Sequence, residues 1–488
     1  MSPLLCRVLL PVAGAGLIIA GTQPRQTAVV ASALNFLASL IIFGLCQPEA
    51  GYQFISSYPV VPSMGIHFTL GADGLSVAML LMSTAITLAA VGLARTPPQN
   101  GNWFYASLLF ISAGAIGAFA SLDAFFFYMF HELALIPTFL LIGIWGSGDR
   151  QAAAWKVTTY LAFGSFVLLV GLIGLYLSLP ANDRTFDMRR IAELASSGAA
   201  QPGVIIYVLL IVGFGILVSL FPFHTWAPQA YASAPAPAAM LHAGILKKFG
   251  LYGIFRLVLP VFPPNVSAPL NTLLLVLVLG NILYVGFVTI SQRKLDLMLG
   301  YASVMHMGYL FLGILSWKTL GLSGAALMLV AHGLSIAALF ALSGELRERT
   351  GTLDFSELGG LAKAMPAFGL LFGFAFMASA GLPGFANFAG ELMIFFGAFS
   401  AGVPAKAGFN EFQVATVIAV WGVVMSAIFM LRAYRRIFMG PISDKWKALP
   451  DIGALPRLCV AGLIVLLLIT GFFPQIVLNY VTPALVWP

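Results

Sequence analysis

The segment PFHTWAPQAYASAPAPAAMLHAGILKKFGLYGIFR, Pro222 to Arg256, combines two features that a water-soluble domain does not need. Its first part follows the apolar run VGFGILVSLF and carries Pro222 and Pro228. Proline lacks the backbone N–H and clashes with the preceding turn, so the helix is interrupted there. Its second part reads as an apolar helix with two adjacent lysines, Lys247 and Lys248, too far from either end to snorkel out. A charge at membrane depth costs at least about 2.5 kcal/mol on insertion scales. Interrupted backbone is tolerated there only where protein or a water-filled cavity satisfies it. Both costs point to a membrane helix bundle with chemistry near its midplane.

The rest of the chain agrees. Of 488 residues, 60% are hydrophobic and 8% charged, with a mean hydropathy of +0.98, too apolar for a soluble surface. A bilayer core of ~30 Å asks for ~20 apolar residues per helix. Such stretches recur near residues 3–21, 27–46, 73–94, 103–120, 123–146, 154–179, 203–231, 236–259, 268–291, 295–316, 320–344, 365–402, 410–438 and 457–484. The expected fold is an all-α polytopic membrane protein of about fourteen helices. Strand-like alternation is not sustained, which argues against an outer-membrane barrel. MSPLLCRVLLPVAGAGLIIA is read as a retained first helix, because no small-residue cleavage site follows it. Residues 47–72 and 180–202 are expected to form a small hairpin and an amphipathic turn. Cys6, Cys46 and Cys459 have no paired or metal-ligand spacing, so no metal site is expected.

Fourteen spans place both termini on one side. That side collects Arg7, Arg184, Arg189, Arg190, Arg256, Lys318 and Lys406, seven bases. The other collects fifteen: Arg25, Arg95, Arg150, Lys156, Arg293, Lys294, Arg347, Arg349, Lys363, Arg432, Arg435, Arg436, Lys445, Lys447 and Arg457. Lys247 and Lys248 complete the 24. The richer side is expected to be cytoplasmic and the termini periplasmic. The net charge of +7 therefore needs no nucleic acid.

A second interruption lies in ASAGLPGFANFAGE, with Gly381, Pro383 and Gly384. If helices four to eight form one unit and nine to thirteen another, each broken helix is the fourth of five. An odd number of spans per unit inverts the second unit relative to the first. The corresponding divisions are 1–102 for three N-terminal helices, 103–259 and 260–440 for the inverted repeats, and 441–488 for a loop and the last helix. Further titratable groups sit in apolar helices: Glu132, Glu391, His242, His306 and His332. Buried ionisable groups are expensive, and a proton relay is the reading that accounts for so many of them.

The quoted segment resembles the antiporter-like subunits of respiratory complex I, NADH-quinone oxidoreductase, and among them the branch called subunit M, the homologue of mitochondrial subunit 4. So do YMFHELALIPTFLLIGIWG, YASVMHMGYLFLGI, AHGLSIAALFALSGELRERT, GGLAKAMPAFGLLFGFAFMASAGLPGFANFAGELMIFFGAF and FMLRAYRRIFMGP, in order from about residue 120 to 440. Glu391 favours that branch, since the related subunits usually carry lysine there. The resemblance implies two inverted five-helix repeats and no cofactor in this subunit. It also implies a relay of Glu132, Lys248, His306, His332 and Glu391, with Glu132 tuning a neighbouring base. Burial disfavours the charged form of lysine and carboxylate alike, which suits both to proton exchange near neutral pH. The partners implied are other membrane-arm subunits and lipid, with NADH and quinone sites on other chains, in a bacterial inner membrane.

The departures from the family are specific. Leu217 stands where the family usually has a lysine before the seventh-helix break, so the partner of Glu132 is missing. Gln229, Tyr231 and Ser233 replace the usual acidic and histidine residues. His131, His242 and Lys247 appear where the family is apolar, and one of them is expected to replace the lost lysine. Lys294 and Asp296 reverse the usual acid-then-base order, which is expected to affect a surface pairing only. No nucleotide loop, iron–sulfur spacing or dinucleotide fingerprint occurs, so the energy must come from elsewhere. Two other readings fit the same residues, a subunit of a cation/proton antiporter or membrane-bound hydrogenase and a non-pumping structural subunit; a small-solute carrier fits worst, since no substrate-sized polar cluster appears beyond the relay groups.

Overall fold

The computed structural model describes residues 2–97, 99–402 and 408–485, with Ser267 lacking a described side chain. Lys406, counted above on the base-poor side, lies outside them. Among the described residues, ten helices are long and apolar enough to span a bilayer: Pro24–Leu45, Gly74–Leu93, Gly101–Ala120, Ala124–Trp145, Arg150–Ser178, Ala268–Ser291, Leu295–Leu315, Thr319–Thr350, Glu411–Phe438 and Ala454–Phe472. Pro3–Ile19 is the first span. Three composite spans complete fourteen: the seventh (Val204–Val218 and Trp226–Ser233), the eighth (Ala236 to Val258, in four segments) and the twelfth (Pro366–Ser379 and Ala386–Phe399).

Polar contacts at the helix ends sort by side as the alternation requires. At the base-rich end Arg95 pairs with Glu348 at 3.0 Å, Arg432 donates to the Gln292 carbonyl, and Asp451 accepts the N–H groups of Ala367 and Phe368. At the other end Arg256 pairs with Asp73, Tyr480 donates to the Phe43 carbonyl, and the Thr482 and Ser323 hydroxyls meet at 3.0 Å. The seventh span runs from the base-poor to the base-rich end and the twelfth runs back, so the two broken helices are antiparallel. The connecting segments form an antiparallel hairpin, Gln53–Val61 with Ile66–Ala72, and an amphipathic helix, Met188–Ser196. Both dock at the start of the fifth span, where Asp123 accepts the His67 N–H and Met188 N–H bonds the Leu122 carbonyl.

Three details differ from the sequence reading. The last span breaks at Pro474, which cannot donate, and resumes as Gln475–Val481. The eleventh continues to Thr350, because its final turn is polar and self-paired through Arg349 and Glu345. Asp296 is no surface residue. It is 8% exposed and bonds Arg347, which also reaches the Ser147 hydroxyl at 2.8 Å and the Ala232 carbonyl at 3.3 Å. One guanidinium thus ties the ends of the fifth, seventh, tenth and eleventh spans.

The break in the seventh span is satisfied by protein. Ser219 adopts φ +69°, and the chain turns through Phe221 and Pro222 before Trp226. Asn281, on a π-helical turn of the ninth span, accepts the Phe221 N–H and donates to the Ser219 and Val304 carbonyls at 3.2 and 2.9 Å. Trp226 Nε1 donates to the Ile216 carbonyl at 3.2 Å. Unpaired backbone in the hydrocarbon region is costly, so one amide side chain holds the interruption open. Asn281→Ala is expected to lower stability by about 2–4 kcal/mol, read as an earlier thermal transition of the purified protein in detergent. The first half of the twelfth span ends in the same Schellman cap as that of the seventh: Leu382 N–H bonds Met377 O and Gly381 N–H bonds Ala378 O, with Gly381 at φ +73°, as Leu220 N–H bonds Gly215 O and Ser219 N–H bonds Ile216 O.

Candidate functional site

Buried titratable side chains cluster between the two breaks. Lys248 is fully buried on the eighth span, one residue past the π-helical turn His242–Leu246 and its cap Lys247. Such a turn shifts the register to i, i+5, and the Lys248 ammonium folds back to donate to the Ala243 carbonyl, five residues earlier. Its other partner is His332 Nδ1, at 2.9 Å, on the eleventh span. A charged lysine can only donate, so His332 Nδ1 accepts and Nε2 carries the ring hydrogen. That Nε2 is buried with no hydrogen-bond partner, and its ring lies 5.5 Å from the His306 ring.

His306 faces two carbonyls: Nδ1 is 2.7 Å from Ala302 O and Nε2 is 3.0 Å from Ser379 O, the last turn before the twelfth-span break. Carbonyl oxygens only accept, so both bonds form together only when both nitrogens carry a proton. Past the break lies Glu391, buried, its Oε1 unpaired, against Gly381. A Cβ at position 381 would collide with Oε2, so only glycine leaves space for the carboxylate. Asn387, one turn before Glu391, donates to the Ser335 hydroxyl at 3.3 Å, and Ser335 donates to the His332 carbonyl at 3.3 Å. Tyr309 packs between His306 and Phe395, its hydroxyl buried and unpaired.

The first unit holds the remaining groups. Glu132 accepts from the Ser165 hydroxyl and lies 3.3 Å from His131 Nδ1. Unlike the others it is 31% exposed, although it sits well inside its helix. Leu217 offers it no charge. A small cavity is lined by His131, Leu217 and His242 together. Lys247 points away from Lys248, donating to the Ser303 hydroxyl at 3.3 Å with its ammonium 5.6 Å from the centre of the Tyr231 ring.

Every titratable residue named for the relay is therefore within the bundle: Lys248 bonds His332, the His332 ring lies beside that of His306, Glu391 follows beyond the break, and Glu132 pairs with His131. Sequence reading missed Ser165, Ser303, Tyr309, Ser335 and Asn387, small polar groups whose neighbours are set by other helices. Asn281 was discoverable, as the one amide within LLLVLVLGNILYVGFV.

The family model described as NADH:quinone oxidoreductase/Mrp antiporter, TM matches residues 121–419, which contain all of these groups. NADH-quinone oxidoreductase subunit M of Rickettsia felis is 32% identical over 455 residues, 93% of this chain and 89% of that protein. A chain in the structure of respiratory complex I from Thermus thermophilus with bound NADH aligns over 99% of both chains at 27% identity, with a TM-score of 0.87. A chain of the Mrp complex from Dietzia sp. shares the fold at 20% identity, covering 99% of this chain and 97% of that one with a TM-score of 0.85. A model that matches more than half of the sequence, and a relative aligned along nearly all of it, agree with the two broken helices and the buried lysine: the chain belongs to the NADH:quinone oxidoreductase/Mrp antiporter family of membrane subunits.

Proposed function

We propose that this chain is the proton-translocating, subunit M-type component of an NADH-quinone oxidoreductase, driven by redox chemistry on other subunits. The observation that carries the reading is the run Lys248, His332, His306 and Glu391, which crosses from the eighth span to the twelfth through buried donors and acceptors. A proton on Lys248 has His332 Nδ1 as its acceptor, and after transfer the neutral amine still donates to the Ala243 carbonyl. Glu391 receives the proton beyond the break. We place the base-rich end in the cytoplasm and the termini in the periplasm of a bacterial inner membrane, and the repeats at 103–259 and 260–440.

Glu132 supports a place within a larger assembly. A partly exposed carboxylate at membrane depth is expensive against lipid, so a neighbouring membrane-arm chain covers it. A unit charge brought ~4 Å from another is worth roughly 4 kcal/mol at an effective dielectric of about 20. A neighbour that changes the charge beside Glu132 and His131 can thus bias proton occupancy further along. Leu217, where the family usually has lysine, favours a second reading, a structural subunit that does not pump. Purification of a tagged chain from native membranes should bring down the redox subunits, and Glu391→Gln should lower the proton-to-electron ratio of the complex. Recovery with cation-antiporter partners alone would overturn the assignment, and an unchanged ratio would favour the structural reading.

A further inference from the structure

A cleft of about 550 Å³ opens at the base-rich end between the third, fourth, seventh, eighth and eleventh spans. Its mouth carries Arg95, Glu345, Arg347 and Glu348, and Tyr231 and Phe340 line it farther in. Tyr231 is itself buried. Its hydroxyl lies 3.4 Å from His242 Nδ1, the two rings are 5.4 Å apart, and the Lys247 ammonium stands over the Tyr231 ring. His242 lines in turn the small cavity beside Leu217 whose far wall is His131, the neighbour of Glu132. That cavity, of roughly 10 Å³, matches the space of one water. The cleft, Tyr231, His242 and the His131–Glu132 pair therefore follow one another, the last step across a cavity that Thr138 and four leucines also line, around the place vacated by the missing lysine.

Resting on the proton-translocation reading, we propose that protons enter through this cleft and that the Tyr231 hydroxyl passes them to His242, which takes over the work of the lysine absent at Leu217. The step is a concerted exchange. The hydroxyl gives its hydrogen to Nδ1 of His242 as its oxygen takes one from a hydronium ion in the cleft, which is left as water, so neither phenolate nor hydroxide forms. From His242 the proton has two outlets: one crosses the small cavity to His131 and Glu132, the other runs to Lys247 and the Ser303 hydroxyl. Lys247 and His131 are branches of this relay, and His242 is the group both depend on.

The test uses the whole complex in inverted membrane vesicles, with NADH-driven proton uptake and quinone reduction recorded together. Tyr231→Phe keeps the ring that packs against Phe340 and Trp226 and removes only the hydroxyl. It should give a several-fold loss of proton uptake per quinone reduced, and His242→Leu the same. Tyr231→His, which restores a group able to relay, should recover most of it. A purely structural role predicts the reverse order, with Phe tolerated and His not, and would overturn the proposal. Ser343→Cys in the cleft wall, with Cys6, Cys46 and Cys459 replaced, should react with a charged thiol reagent added from the base-rich side and lose uptake on modification. Full uptake after complete modification would also overturn it. If Tyr231→Phe and His242→Leu both pump normally while Lys248→Met does not, this entry route fails and the proposed function stands. If Lys248→Met pumps normally as well, both fail.

Discussion

Lys248→Met is expected to abolish NADH-driven proton translocation in inverted vesicles while the subunit still assembles to normal levels. Translocation should fall because methionine keeps the volume but neither stores a proton nor donates to His332 Nδ1, 2.9 Å away. Removal of a proton-transfer group at a relay costs on the order of 10²–10⁴ in rate. Assembly should survive because Lys248 has no carboxylate to leave stranded: its partners are the Ala243 carbonyl and a histidine nitrogen. A buried charge held only by neutral partners is a net burden. Its removal should stabilise the subunit by about 2 kcal/mol, measured as a later thermal transition in detergent. Normal pumping by the Lys248→Met variant, or its failure to assemble, would each contradict this account.

Arg256→Met, eight residues further along the same span, should do the opposite. Arg256 and Asp73 are buried, with side-chain exposures of 3% and 6%, and joined by two hydrogen bonds, one of 2.7 Å. Ser76 and Tyr52 accept further bonds from the same guanidinium at 3.0 and 3.3 Å, and the Tyr252 ring packs against it at 4.8 Å. Asp73 also caps the third span through Ser76 N–H. Removing the arginine leaves a buried carboxylate unpaired, a loss of about 3–5 kcal/mol. The expected result is poor accumulation in the membrane and a markedly earlier thermal transition. Asp73→Asn with Arg256→Met should recover part of the loss, because the stranded charge, rather than the absent pair, dominates the cost. Two basic residues on one helix thus have opposite signs in stability, decided by whether a carboxylate stands opposite.

Most of the span count was legible because hydropathy alone determines what lipid accepts. The breaks at Pro222 and Gly381 were legible because proline and a glycine pair punctuate a helix wherever they stand. Pro474 carries the same signal, but it stands inside an apolar run that reads as one helix. Lys248, Glu132 and Glu391 announced themselves by being charged where charge is costly. What the sequence did not disclose was pairing. Lys247 and Lys248 are adjacent in the chain, yet one turns to Ser303 and the other to His332. That divergence follows the π turn before them, and no local pattern marks a π turn. The likeness of Asp296 to an ordinary surface acid hid its clasp by Arg347, since both partners come from different helices and the burial arises only on assembly.

The two carbonyls around His306 give the proton a mechanical meaning. With both ring nitrogens protonated, the imidazole bolts the tenth span's own Ala302 carbonyl to the Ser379 carbonyl at the lip of the twelfth-span break. A neutral ring has a single hydrogen to offer, so it must let one of the two go. In the proposed relay, a proton arriving at His306 would fasten that second bond and a proton leaving would release it, so the loading of the ring would be felt as one tie more or fewer across the break beside Gly381 and Glu391.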